Sequence, residues 1–274
     1  MQQQIYHIDT LKCSYDWKKT VLLIKELDIY KGTLNFIIGA SGIGKSTFIE
    51  TIGLMNNTIQ NPTEVKLDFF NHEGVDISLS DIWTKSQEEL AGFRNEAYSF
   101  IFQSTNLMSN FTAGENMCFG LLLAGETLDE GKQKVLPIMK SLKLDANLFD
   151  RSVTALSGGQ RQRVAFVRAF AAKFDVLFGD EPTGNLDPKT SMHLMNILKS
   201  HLQQFHKTGI IVSHDVSLAL DFADNIYFIK EMTVENDSFG YLDNQQCFKR
   251  DGSEWMLNGE NVTAKIEQMI FDLM

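Results

Sequence analysis

Two rhythms of apolar residues run along this chain. Short apolar-rich runs at 34–38, 99–102, 176–178 and 210–212 have the length and composition of buried strands. Segments 45–55 and 187–205 repeat apolar residues at helical spacing instead: Phe48, Ile49, Ile52 and Met55 in the first, Leu194, Ile197, Leu198, Leu202 and Phe205 in the second. Asp187 is placed to cap the second helix, and Pro188 suits its first turn. Strands alternating with helices predict an α/β fold, with a largely parallel sheet covered on both faces.

Other stretches break that alternation. Residues 104–172 are rich in Leu, Met and Phe without obvious strands, which predicts a mostly helical lobe inserted into the α/β core. The first 30 residues alternate apolar and polar positions, as a small antiparallel sheet would. Residues 56–96 read as a long, polar, weakly patterned connection. From about residue 236 the chain reads as a strand–turn piece and a final helix bearing Val262, Ile266, Met269, Ile270 and Leu273. That tail is expected to be an appendage to a domain spanning 1–235.

Composition narrows the partners. The chain has 274 residues, 43% of them apolar, with 25 Lys and Arg against 35 Asp and Glu, a net charge of −10. An acidic chain without a dense basic run argues against nucleic acid. Cys13, Cys118 and Cys247 are far apart and fit neither a zinc spacing nor a disulfide framework, which points to a reducing cytoplasm. The N-terminus lacks the basic and apolar regions of a signal peptide. No apolar run approaches the roughly 18 residues a membrane span needs.

Three stretches carry chemistry. Gly39-Ala40-Ser41-Gly42-Ile43-Gly44-Lys45-Ser46 follows a predicted strand and opens a predicted helix, the context a phosphate-binding loop requires. Its glycines let successive N–H groups turn inward, Lys45 supplies a point charge, and the Ser46 hydroxyl is a ligand for Mg²⁺. The run 176–178 ends in Asp180-Glu181, which would lie beside that loop. Asp180 would hold Mg²⁺ through water, and Glu181 would polarise an attacking water as general base or positioning group. Ser157-Gly158-Gly159-Gln160 opens an Arg-rich helix, a second helix start suited to an anion, or simply a capped helix with two flexible residues.

The stretches GASGIGKST, FIFQ, LSGGQRQRVA, VLFGDEPTGNLD and IIVSHD occur in one order. Together they closely resemble ABC transporter nucleotide-binding domains over roughly residues 1–235. The resemblance implies a RecA-like P-loop NTPase core, with a mostly parallel sheet, a small N-terminal antiparallel part and an inserted helical lobe. It implies ATP and Mg²⁺ as ligands, held by Gly39, Ser41, Gly42, Gly44, Lys45, Ser46 and Thr47. Gln103 matches a glutamine that senses Mg²⁺ and the attacking water. Ser157 and Gly159 match residues that touch the γ-phosphate of ATP on a second subunit. Asp187 matches an aspartate at the dimer interface, and His214 a histidine that contacts the γ-phosphate. Tyr15 lies near the position of an adenine-stacking aromatic, with Trp17 as its rival and packing in the small sheet as the other reading.

The partners implied are a second copy, joined through an ATP sandwich, and an integral membrane permease-like subunit at the cytoplasmic face of the cell membrane. A helix of that subunit would enter a groove at Gln103 and residues 104–120. The stretch 181–187, Leu90-Ala91 with Arg94, and the residues from Asn106 to Asn116 resemble the lipoprotein-release and macrolide-export group. Gly179, Phe166-Val167, Phe170, the 56–96 connection and the tail depart from the pattern. A soluble ABC ATPase without a transporter, or a nucleotide switch without turnover, are the alternatives.

Overall fold

The alternation in the first thirty residues becomes an antiparallel pair in the computed structural model, which describes residues 3–71, 74–184, 186–235 and 237–273. β1 (Gln4–Cys13) and β2 (Leu22–Tyr30) pair in a register that runs from His7↔Asp28 to Cys13↔Leu22. Their inward residues, among them Ile8, Leu11, Ile24 and Leu27, are buried. β3 (Leu34–Ile38) is buried at every position, as a strand covered on both faces must be. α1 (Lys45–Ile52) follows, and it stops short of Met55 because Gly53 caps it and Leu54 turns left-handed.

Residues 56–96 are not a featureless connection. They hold β4 (Lys66–Phe70), β5 (Asp76–Ser78) and α2 (Gln87–Ala97). β4 pairs antiparallel with β1, and β5 with β4. α2 opens on a capping box: Ser86 Oγ accepts from the Glu89 N–H, and the Glu89 carboxylate accepts from the Ser86 N–H. β6 (Tyr98–Phe102) follows, and the Tyr98 ring packs perpendicular to Phe69 and Phe93, joining β4 and α2 to it.

The helical lobe consists of α3 (Ala113–Leu123), α4 (Leu128–Ser141) and α5 (Gly158–Ala171). All three open on capping boxes, Thr112 with Glu115, Thr127 with Glu130 and Ser157 with Gln160. Met117, Val135, Met139, Phe149 and Phe166 are buried between them. α5 leads into β7 (Val176–Asp180), then α6 (Pro188–Gln204), β8 (Thr208–Val212), α7 (Val216–Phe222) and β9 (Asn225–Phe228). β9, β3, β8, β7 and β6 are parallel neighbours in that order. Asp187 caps α6 by accepting from the Thr190 N–H at 3.0 Å. Phe205 departs from expectation: it lies just past the end of α6, is 50% exposed, and leans on His201 instead of entering the core.

The tail also departs from expectation. β10 (Lys230–Val234) and β11 (Asp237–Asp243) form a hairpin, and β11 runs parallel beside β2. The first sheet is therefore ordered β10-β11-β2-β1-β4-β5. β12 (Cys247–Asp251), β13 (Glu254–Leu257) and β14 (Glu260–Asn261) extend the second sheet antiparallel from β9. α8 (Ile266–Leu273) then packs on α7 and buries Ile266 and Ile270. Val262 is buried just before that helix, and Leu273 is exposed. The residues beyond 236 thus supply strands to both sheets and are no appendage. Among the described residues no helix is long and apolar enough to cross a membrane.

Ending the chain at residue 235 would strip β11 from β2 and β12 from β9, uncovering the flanks of Leu22, Ile24, Ile226 and Phe228. Each such side chain contributes about 1.5–3 kcal/mol when buried, so losing several erodes most of a typical margin of about 5–15 kcal/mol. We expect the truncated chain to aggregate or to lose its cooperative thermal transition. A soluble fragment that melts within a few degrees of the whole chain in calorimetry contradicts this.

Candidate functional site

Strand register gathers the polar residues at one edge. Phe102 lies opposite Asp180, Asp180 opposite Val212, and Val212 opposite Ile37. The residues that follow these positions, namely Gln103, Glu181, Ser213-His214 and the loop from Gly39, emerge together. Within that loop Gly42 (φ 77°) and Gly44 (φ 104°) are left-handed, a conformation that costs a side-chain-bearing residue about 1–2 kcal/mol. α1 begins without a side-chain cap, so its first N–H groups remain available at the loop. Lys45 folds over the loop and donates to the carbonyls of Gly39 and Ala40 at 2.9 and 2.8 Å. Burial lowers its pKa, while Glu181 and Asp180 act in the opposite direction.

These groups surround a cleft of about 420 Å³, whose lining includes Tyr15, Ser41, Gly42, Gly44, Lys45, Ser46, Thr47, Gln103, Asp180 and Glu181. Burial raises the Asp180 pKa, Glu181 and Glu50 raise it further, and Lys45 opposes them. Glu181 is left-handed, with φ 47°, a strained state for a residue with a Cβ. It is held by its own N–H, which donates to Val212 O at 3.0 Å, and by its carboxylate. Glu181 Oε1 accepts from the His214 N–H at 3.1 Å and from the His214 ring Nδ1–H at 2.7 Å. The Gln162 amide donates to the carbonyl of Pro182, tying α5 to the turn after Glu181.

Ser46, Asp180 and Gln103 bring hard oxygen donors to the same cleft. No group of three His, Cys, Asp or Glu among the described residues could hold a metal unaided. That donor set fits Mg²⁺, which takes few protein oxygens and fills its shell with water and phosphate.

On the other side of the cleft Tyr15 is 53% exposed, and its hydroxyl bonds Glu50 Oε2 at 2.7 Å and Thr47 Oγ1 at 3.1 Å. Trp17 is exposed but lies outside the cleft lining. Glu50 was not singled out from the sequence, although its place three residues after Thr47 on a helix puts both on one face.

Ser157, Gly159 and Asp187 do not line the cleft. Ser157 caps α5 through a capping box with Gln160, and beyond its own helix a Cβ built on Gly158 or Gly159 would meet nothing within 4 Å. Asp187 is exposed at the start of α6, and the Thr190 hydroxyl and N–H hold its carboxyl below the usual range. Asn185, in the same motif, lies outside the described residues. The residues singled out from the sequence therefore form two groups, one around the cleft and one at the starts of α5 and α6.

The ABC transporter family matches residues 24–184. The lipoprotein-releasing system ATP-binding protein LolD of Bdellovibrio bacteriovorus is 36% identical over 205 residues, covering 75% of this chain and 87% of that protein. An uncharacterised ABC transporter ATP-binding protein of Methanocaldococcus jannaschii is 34% identical over 77% of this chain and 86% of its own. A solved dimeric bacterial ABC transporter cassette superposes with a TM-score of 0.70 at 27% identity, over 90% of this chain and 99% of that one. A post-hydrolysis state of that cassette, bound to ADP and phosphate, matches equally well. Matched across more than half of its length by the family, and over 75% of it by a relative 36% identical, this chain belongs to the ABC transporter family of ATP-hydrolysing subunits.

Proposed function

We propose that this ABC ATPase is the motor of a membrane complex, working as a homodimer that closes over two molecules of Mg-ATP and reopens after hydrolysis. The observation that carries this reading is the split between the two groups of site residues. One surface holds a lysine, N–H groups and carboxylates around a cleft. Another presents a helix start at which a Cβ on either glycine would meet open space beyond its own helix. A second copy brings the two together, so that Ser157 and Gly159 of one chain reach the γ-phosphate bound by the other, with Asp187 at the boundary.

Within each half, Lys45 and the loop N–H groups hold the phosphates, and Tyr15 offers its ring to adenine. Ser46, Asp180 and Gln103 would hold Mg²⁺, which would supply positive charge to offset that of the phosphates. Glu181 orients and polarises the attacking water. His214, held in place by Glu181, contacts the γ-phosphate. Closure favours the ATP-bound dimer by differential affinity, and loss of the γ-phosphate reverses it.

The membrane partner would dock in an apolar groove of about 560 Å³ between α2, β6 and the lobe, lined in part by Met55, Tyr98, Phe100, Met108, Phe119 and Leu123. The two arginines at its wall are already engaged: Arg94 donates to Leu54 O, and Arg168 to Thr105 O and Asn106 O. The groove therefore suits the apolar face of a short helix, at the cytoplasmic side of the membrane. The LolD relatives support a place in the lipoprotein-release and macrolide-export group.

Glu181→Gln keeps the shape but removes the carboxylate, so ATP binding is expected to persist while steady-state hydrolysis falls by at least about 100-fold. Phosphate release within a few-fold of the native rate would remove Glu181 from the chemistry.

Gly159→Asp sets a carboxylate against the partner's γ-phosphate. It is expected to spare ATP binding to a single chain and to abolish turnover. Lys45→Ala is expected to lose turnover through the loop. Mixed together, the two inactive variants form heterodimers in which one composite site carries both lesions and the other carries neither. Activity should return on mixing; a mixture as inactive as its parents contradicts the two-chain site.

A further inference from the structure

The loop between β1 and β2 is fixed along its backbone. Asp16 Oδ1 accepts from the N–H groups of Lys18 and Lys19, both at 2.9 Å, and the Ser14 N–H donates to Thr58 O at 2.8 Å. The Tyr15 side chain projects from this fixed loop with about half its surface exposed. An exposed aromatic ring on a rigid backbone still rotates about its side-chain bonds, and a ligand that stacks on it must stop that rotation. Here the far end of the ring is already anchored. The Tyr15 hydroxyl donates to Glu50 Oε2 at 2.7 Å, and Thr47 Oγ1 lies 3.1 Å away. Glu50 is steadied in turn, since its Oε2 also accepts from the Asn56 amide at 2.9 Å. Both anchors are on α1, the helix that begins with Lys45 and Ser46.

We propose that Glu50 is a positioning residue for nucleobase binding, holding the Tyr15 ring by its hydroxyl against the helix that carries the phosphate loop. The proposal rests on the reading of Tyr15 as the adenine platform. The anchor leaves the faces of the ring open while fixing their plane. It also ties the place where the base lies to the place where the phosphates lie, so one helix sets the distance between them. Burial raises the Tyr15 pKa, which keeps the hydroxyl protonated and able to donate. A purely structural role for Glu50 in α1 would instead disturb the phosphate loop as much as the base platform.

The test compares two probes by calorimetry on the whole chain: MgATP, and magnesium tripolyphosphate, which has phosphates but no base. Glu50→Leu and Tyr15→Phe should each weaken MgATP by about 3- to 10-fold, the loss expected from releasing one ordered side chain. The double variant should lose no more than either alone, because both break the same bond. Glu50→Gln keeps a carbonyl acceptor and should remain near the native affinity. Tripolyphosphate should bind none of the four variants more weakly than it binds the native chain. If Tyr15→Ala weakens MgATP but Glu50→Leu does not, stacking stands and the positioning role of Glu50 falls. If tripolyphosphate weakens in step with MgATP, Glu50 acts on the phosphate loop and the proposal is overturned. If Tyr15→Ala leaves MgATP binding unchanged, the platform reading falls and this proposal with it.

Discussion

Backbone hydrogen bonds between β6, β7, β8 and β3 fix which residues leave the sheet at the same height. With Phe102, Asp180, Val212 and Ile37 opposite one another, the next residues of all four strands turn out at a single edge. A slip of one residue in any strand would turn its side chains to the other face and move a carboxylate or the phosphate loop by a strand step of about 3.3 Å. The site depends on this register more than on any one of its side chains. At Gly179 a Cβ would lie 2.6 Å from Ile211 Cδ1 on the neighbouring strand, so a larger residue there would require the end of the Ile211 side chain to move.

Charge at that edge is balanced rather than neutral. Asp180 and Glu181 are adjacent, and Glu50 adds to the field that raises the Asp180 pKa. Lys45 is the cation that opposes them, and it also bonds two carbonyls of its own loop. A triphosphate with a divalent cation offers complementary charge to both sides. Glu181 is strained in its backbone but held at three points, so its carboxylate is placed before any ligand arrives.

Much of this was legible in the sequence because it is local. The apolar runs of β3, β7 and β8, the Asp187 cap and the glycine pattern of the loop are each written within a few consecutive residues. The 56–96 region reads as a connection because Lys66–Phe70 and Asp76–Ser78 are short strands, the first paired with β1 far away in the chain and the second a largely exposed strand on its outer side. The Ser86 and Glu89 capping box is a local signal there, marking the start of α2. The tail was misread for a similar reason: Asp237–Asp243 carries no strong alternation, and only its pairing with β2 makes it a strand of the first sheet. At Gly240 that strand comes so close that a Cβ would collide with the carbonyl of Ile43 in the phosphate loop. Phe205 had the right spacing for the buried face of α6 but lies beyond its last turn. Glu50 escaped notice because a single carboxylate on a helix gains meaning only from what lies opposite.

The central claim is that each ATP is held between two chains, and the direct measurement is sedimentation velocity on Glu181→Gln, which should bind ATP without consuming it. Without nucleotide the account predicts a monomer. With saturating MgATP it predicts a dimer, and adding Gly159→Asp to the same chain should return it to a monomer that still binds ATP. A Glu181→Gln chain that binds ATP yet sediments as a monomer at every nucleotide concentration would contradict the account.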